Sequence, residues 1–203
     1  MIEMVLDIET MSCEIPDALA RELYGKIEPT QTAIKAHKED EYIKSKQEEI
    51  AEGFALSPMT GRVLGIGIIC KDVKTYIEDT EQGMFKFLCD IAKDDSTRLI
   101  TFNGKNFDVP FLKIRAAILG VPIPNFSTKR YDTTWHFDCR EILTNFGANP
   151  KGTLKEWAII FGVEPPKDSG KAIHLLTKEE RQTKCLDDCK CTEFIYKRLQ
   201  PLF

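Results

Sequence analysis

The first ten positions, MIEMVLDIET, run apolar through Met4, Val5, Leu6 and Ile8, with acids at 7 and 9. A short, nearly continuous apolar run of this kind predicts a central strand over 3–8, covered on both faces. The pattern then changes. Residues 11–54 are rich in Lys, Glu and Ala, and AIKAHKEDEYIKSKQEEIAE reads as one solvated helix with few core positions, an exposed helical insertion rather than a binding arm. Pro58 and Gly61 mark a turn, after which 63–70 reads as a buried strand and 73–77 as its hairpin partner. Met84, Phe85, Leu88 and Ile91 repeat at helical spacing over 81–92. A strand over 98–102 and a helix over 106–119 follow, the helix closed by Gly120 and Pro122. Two more helices are predicted over 138–146 and 153–161, and a last one opens at Thr177 and runs to about 199. Thr153 with Glu156, and Thr177 with Glu180, have the spacing of capping boxes. Strand, hairpin, helix, strand, helices is the order of an α/β fold, a central mixed sheet flanked by helices.

Composition adds bounds. The 203 residues suit a single domain, 1–203, carrying the 11–54 insertion. Hydrophobic residues are 42% and charged residues 30%, a globular balance. No apolar run approaches the ~20 residues that span a bilayer, and the acidic start lacks the basic and apolar regions of a signal peptide. The expectation is an intracellular, cytoplasmic protein with no membrane partner. Seven cysteines without a small-secreted-domain pattern read as reduced thiols. Cys185, Cys189 and Cys191 lack the pair spacing of a zinc site and read as core positions of the last helix. The net charge of −4 argues against coating nucleic acid by bulk electrostatics, but not against handling a strand end through bound cations.

Three segments carry candidate chemistry. Asp7 and Glu9, two apart on a strand, share a face in an apolar setting. Two such carboxylates repel and lose hydration, which a hard cation relieves. The spacing alone equally describes an acidic strand end facing water. In TFNGKNFDVPFL, Asp108 falls in the first turn of a helix just after a strand. It can serve the helix dipole there, or a metal. Asp188, in KCLDDCKCTEF, lies at the edge of the apolar stripe of the last helix, within reach of the sheet's end. Asp187 lies about 100° around that helix, a solvated partner for Lys190 or Lys184.

Together these segments resemble the three motifs of the DnaQ-like, ribonuclease H-fold DEDD exonuclease superfamily. Asp7 and Glu9 match D-x-E, Asn103 through Asp108 match N-x₃-[FY]-D, and Asp188 followed by Thr192 matches the third motif. SPMTGRVLGIG, HFDCREIL and GTLKEWAIIFG are most similar to predicted exonucleases related to the proofreading domain of family B DNA polymerases. The resemblance implies a ribonuclease H-like fold and a 3′–5′ exonuclease that releases nucleoside 5′-monophosphates. It implies two divalent cations, Mg²⁺ or Mn²⁺, ~3.5–4 Å apart, held by Asp7, Glu9, Asp108 and Asp188. Asn103, Phe107 and Met11 fall where the terminal nucleotide would be contacted, although Phe107 suits the core at least as well. The implied partners are nucleic-acid 3′ ends, single-stranded DNA favoured and RNA the alternative.

One departure stands out. The superfamily carries a Tyr four residues before the last Asp, or a His five before it. Here those positions are Lys184 and Thr183. Lys184 shares a helix face with Asp188. It is a candidate base if its pKa is depressed, and otherwise a lysine paired with Asp188 or Asp187. His174 is a further candidate for the missing base. The gap leaves open a second class of function, a weak or inactive exonuclease-fold module that binds nucleic-acid ends or a protein. The four carboxylates speak against that class.

Overall fold

The computed structural model describes residues 1–25, 27–92, 96–167 and 171–203. Its contacts divide it into two compact units, one made of Met1–Glu9 with Val63–Phe203 and the other of Thr10–Arg62.

The larger unit is built on a five-stranded sheet. Its strands are β1 (Ile2–Ser12), β2 (Gly61–Cys70), β3 (Val73–Ile77), β4 (Thr97–Thr101) and β5 (His136–Asp138), in the order β3-β2-β1-β4-β5. β1 and β2 run on into the smaller unit. β2 and β3 form an antiparallel hairpin in which Cys70 faces Val73. The two residues between them, Lys71 and Asp72, have φ of 49° and 63°. That pair of left-handed residues gives the turn whose twist matches its strands. β4 lies parallel to β1, with Val5 opposite Ile100, and β5 parallel to β4, with Thr101 opposite Asp138. The sheet is therefore mixed, as the pattern predicts.

Alternation along β1 assigns its faces. Met4, Leu6 and Ile8 pack with Met84, Phe85 and Leu88 of α4 (Glu81–Ile91) and with Val109, Phe111 and Leu112 of α5 (Asp108–Leu119). Val5 points the other way. It joins Ile69, Ile100 and Phe137, with Cys189, Ile195, Tyr196 and Leu199 of α8 (Lys178–Leu199) and Ile142 of α6 (Cys139–Leu143). α7 (Leu154–Phe161) packs on α8. Asp7 and Glu9 share the parity of Val5, so the first motif is carried on the α8 face.

Both predicted capping boxes form, Thr153 with Glu156 and Thr177 with Glu180. They set the first turns of α7 and α8.

The predicted helix over 138–146 needs correction. Its first residue belongs to β5, and only Cys139–Leu143 is α-helical. Asp138 pairs with Thr101 and caps α6, accepting the N–H groups of Arg140 and Glu141. Beyond α6, Asn145 and Phe146 adopt left-handed φ of 46° and 54°, which ends it.

The smaller unit contains α1 (Asp17–Tyr24), α2 (Gln31–Lys35), α3 (Glu39–Glu52) and a 3₁₀ turn at Gly53–Leu56. The single helix expected over 33–52 is broken into α2 and α3. Ala36 caps α2, and His37 follows with φ of 53°, which reverses the chain before Glu39. Few of its side chains are buried, Ala33 and Thr60 among them. Tyr24 and Phe54 pack ring to ring at 6.0 Å. Among the described residues no helix is long and apolar enough to cross a membrane.

Candidate active site

The four carboxylates named from sequence meet within the larger unit. Asp7 and Glu9 extend along β1 beyond the stretch paired with β4. Asp108 begins α5 on the neighbouring chain crossing. Its Oδ1 accepts the backbone N–H of Ile8 at 3.2 Å, which ties the second motif to the residue between the two acids of the first. Asp188 and Lys184 come from α8. Lys184 Nζ donates to Glu9 Oε1 at 2.7 Å and to Asp188 Oδ2 at 3.0 Å, bridging the first and third motifs. Cys185 fills the gap behind them and donates through Sγ to Asp7 Oδ2 at 3.4 Å.

α8 can lie this close because β2 has no side chain in its path. A Cβ built on Gly67 would come within 2.7 Å of Cys185 Sγ and 3.1 Å of Cys189 Sγ. Every real Cβ would push the helix, or one of those thiols, aside.

The second-motif loop has its own support. Asn103 sits at φ 73°, a left-handed position that asparagine tolerates better than most residues. Its carbonyl accepts the N–H groups of Asn106 and Phe107. A residue outside the predicted set holds this loop: Asp138, almost fully buried, accepts Asn103 N–H at 2.8 Å and Lys105 N–H at 3.0 Å. The sequence signal for it was its place ahead of an apolar-amphipathic turn, where Asp caps helices; nothing local shows the loop 33 residues earlier. His136 completes the support. Its Nε2 lies 2.8 Å from Thr101 Oγ1 and its Nδ1 2.5 Å from Ser127 O. Thr101 Oγ1 in turn accepts Gly104 N–H at 3.1 Å.

The other named residues fall as follows. Phe107 packs into the core beside Phe111, ring centroids 5.7 Å apart. Asn103 lines a cleft with Lys105, Asn106, Arg130, Arg140 and Lys151. Met11 lies on β1 within the smaller unit and is half-buried. His174 is exposed in a single 3₁₀ turn. Asp187 pairs with Lys190 at 2.6 Å. Cys185, Cys189 and Cys191 are buried and free, as core positions.

Electrostatics distinguish the members of the cluster. Burial, with repulsion from Asp108, Asp188 and Glu9, drives the Asp7 carboxyl well above the usual range, and Lys184 only partly opposes it. Burial also raises Asp108, to about 7, against the pull of two backbone hydrogen bonds. Glu9 and Asp188 are raised by burial too, each with Lys184 in opposition. Lys184 itself loses hydration, but Asp188, Glu9 and Asp7 outweigh that loss and hold it above the ordinary lysine value. In the metal-free fold Lys184 is thus a charged partner of Glu9 and Asp188. Cys185 is held protonated by its hydrogen bond with Cys189 and by burial.

Such a cluster suits a hard divalent cation. Ligating atoms of Asp7, Glu9 and Cys185 lie within 4.8 Å of one another.

A parallel-centred mixed sheet with helices on both faces, and acids gathered beside its central strand, defines the ribonuclease H-like class. Over 98% of its length the chain is similar in fold to the family B DNA polymerase of the hyperthermophilic archaeon Pyrobaculum calidifontis, with TM-score 0.59 and 18% identity. It spans 24% of that polymerase's length. No curated protein matches the sequence. Residues 66–194 match the model of a family described as a predicted 3′–5′ exonuclease related to the exonuclease domain of PolB, and the chain belongs to that family.

Proposed function

We propose that this protein is a metal-dependent 3′–5′ exonuclease that hydrolyses the terminal phosphodiester of single-stranded nucleic acid, with DNA favoured over RNA. One observation carries the reading: Asp7, Glu9, Asp108 and Asp188, from a strand and two helices far apart in sequence, converge on one partly buried point. Burying four carboxylates together is costly, and a scaffold or a simple binding protein gains nothing from it. A divalent cation held by these oxygens lowers the pKa of an attacking water and neutralises charge on the scissile phosphate.

The chain's own residues supply the rest. Asp7, at the centre of the cluster, is the ligand to which the other carboxylates are disposed. Asp108 is fixed against β1 by Ile8 N–H. Asn103, held by Asp138, lines a cleft with Arg130, Arg140 and Lys151, and Glu141 in the same lining is neutralised by buried Lys105, a suitable seat for the polyanionic strand. Phe107, packed beside Phe111, backs the second-motif loop from the core side. The work belongs inside the cell, where seven free cysteines stay reduced.

The test is a 5′-labelled single-stranded DNA and the matching RNA, incubated with Mg²⁺, with Mn²⁺ and with EDTA. A ladder shortening from the 3′ end, dependent on metal and lost in Asp7→Asn, is the expected result. The faster polymer names the preferred sugar. Folded protein that binds both strands and shortens neither would replace the enzyme with a binding module.

A further inference from the structure

The third motif of this chain has a cation of its own. Lys184 stands four residues before Asp188, where the superfamily has its Tyr, and its ammonium is not turned to solvent. It contacts Glu9 Oε1 at 2.7 Å and Asp188 Oδ2 at 3.0 Å, so one nitrogen joins acids 179 positions apart. Glu9 is nearly fully buried and Asp188 mostly so, leaving these two oxygens little water to exchange for the lysine. The other two acids have different partners. Asp108 accepts a backbone N–H and Asp7 a thiol, both neutral donors. The cluster thus falls into a half that the lysine pairs, Glu9 and Asp188, and a half that it does not, Asp7 and Asp108.

We infer that Lys184 takes the place of one of the two cations that its superfamily uses, so that the site holds a single divalent ion on Asp7 and Asp108. This rests on the metal-dependent reading above. A dication and an ammonium cannot both sit against Glu9 Oε1 and Asp188 Oδ2. At about 4 Å they repel by several kcal/mol per unit charge even at the moderate dielectric of a protein surface. Lys184 is anchored on α8 one turn from Asp188, and α8 is pinned over Gly67, so the ammonium is delivered by the helix rather than by a mobile loop. Its role is to position Glu9 and Asp188 and to supply fixed positive charge beside the scissile phosphate.

The experiment counts ions rather than turnover. Mn²⁺ is titrated into the full chain and free Mn²⁺ followed by electron paramagnetic resonance. The unaltered protein and Lys184→Arg, which keeps the charge, should each bind one equivalent. Lys184→Met, which keeps the length and loses the charge, should bind two. Circular dichroism of each variant confirms the fold before counting. Two equivalents in the unaltered protein, or one in a folded Lys184→Met, would overturn the substitution and leave the metal-dependent reading standing. No bound Mn²⁺ in any of the three would overturn both.

Discussion

Asp108 Oδ1 accepts the backbone N–H of Ile8 at 3.2 Å, across 100 residues of sequence. That bond fixes the start of α5 against the one residue of β1 that lies between Asp7 and Glu9. It also separates two tasks of Asp108, since accepting a hydrogen bond needs only an oxygen, while holding a cation needs a negative charge. Asp108→Asn keeps the acceptor and removes a buried carboxylate whose pKa is raised to about 7. The variant is expected to melt at or above the temperature of the metal-free parent at pH 8, yet to bind Mn²⁺ at least ~10-fold more weakly. Asp108→Ala, which strands the Ile8 N–H, should cost about 1–3 kcal/mol. Differential scanning calorimetry with and without Mn²⁺ separates the two, and an Asparagine variant as unstable as the alanine one would contradict this division.

Protons and metal compete for the same oxygens. Asp108 titrates at about 7 in the fold and near 4 in an unfolded chain. A raised carboxylate of this kind favours the folded state most below the unfolded value, and its contribution is lost as pH rises toward 7. Asp7 shifts in the same direction. Metal-free protein therefore gives up stability across that window, and a cation restores it by replacing the proton. The rise in melting temperature on adding Mn²⁺ should be small at pH 5.5 and large at pH 8. An increment that does not change with pH would mean these carboxylates are not where the metal binds.

His136 acts with the opposite sign. Burial lowers its imidazole to about 4, and its two ring nitrogens are engaged by Thr101 and Ser127. A depressed histidine stabilises the fold fully above the unfolded value of about 6.5, and that stability is lost as pH falls toward 4. The shift corresponds to about 3 kcal/mol at most. This loss runs against the gain from Asp7 and Asp108 over the same window, so it is read as a difference between variants: His136→Gln should be less stable than the parent at pH 7, and the gap in denaturant midpoint should close as pH falls to 4. A gap that does not change with pH would remove His136 as the cause.

Local pattern carried much of this fold into the sequence. The apolar parity of Met4, Leu6 and Ile8 announces a covered strand, and Thr153 and Thr177 announce helix starts, because strand alternation and capping are decided within a few residues. The N-x₃-F-D spacing is likewise local: it is the loop from a left-handed Asn103 to the first turn of α5. What escaped is what depends on distant partners. β5 has three residues, too few for a period, and exists because β4 offers it an edge. The break at His37 follows from a backbone reversal that a charged, helix-favouring composition conceals. Lys184 looked like a residue for Asp188 or Asp187 because they are its helical neighbours, whereas its shorter contact is with Glu9, 175 positions away. Lys105 with Glu141, and Arg115 with Glu81, are buried pairs of the same kind.

Gly67 makes the dependence of the site on packing measurable. Its missing Cβ would lie 2.7 Å from Cys185 Sγ, 3.1 Å from Cys189 Sγ and 3.3 Å from the Cys185 carbonyl. Gly67→Ala therefore crowds the turn of α8 that carries Lys184, Cys185 and Asp188, and the helix or a thiol must shift. Overpacking of this sort typically costs about 1–3 kcal/mol. Removing the nearest obstructing atom should relieve it. In Gly67→Ala with Cys185→Ala, the two losses of stability are expected to sum to more than the double variant shows, with a coupling of about 0.5–3 kcal/mol, the range found for residues in contact. A double-mutant cycle by urea unfolding measures that coupling. Strict additivity would mean that the added methyl is absorbed elsewhere in the sheet and that α8 does not owe its position to Gly67.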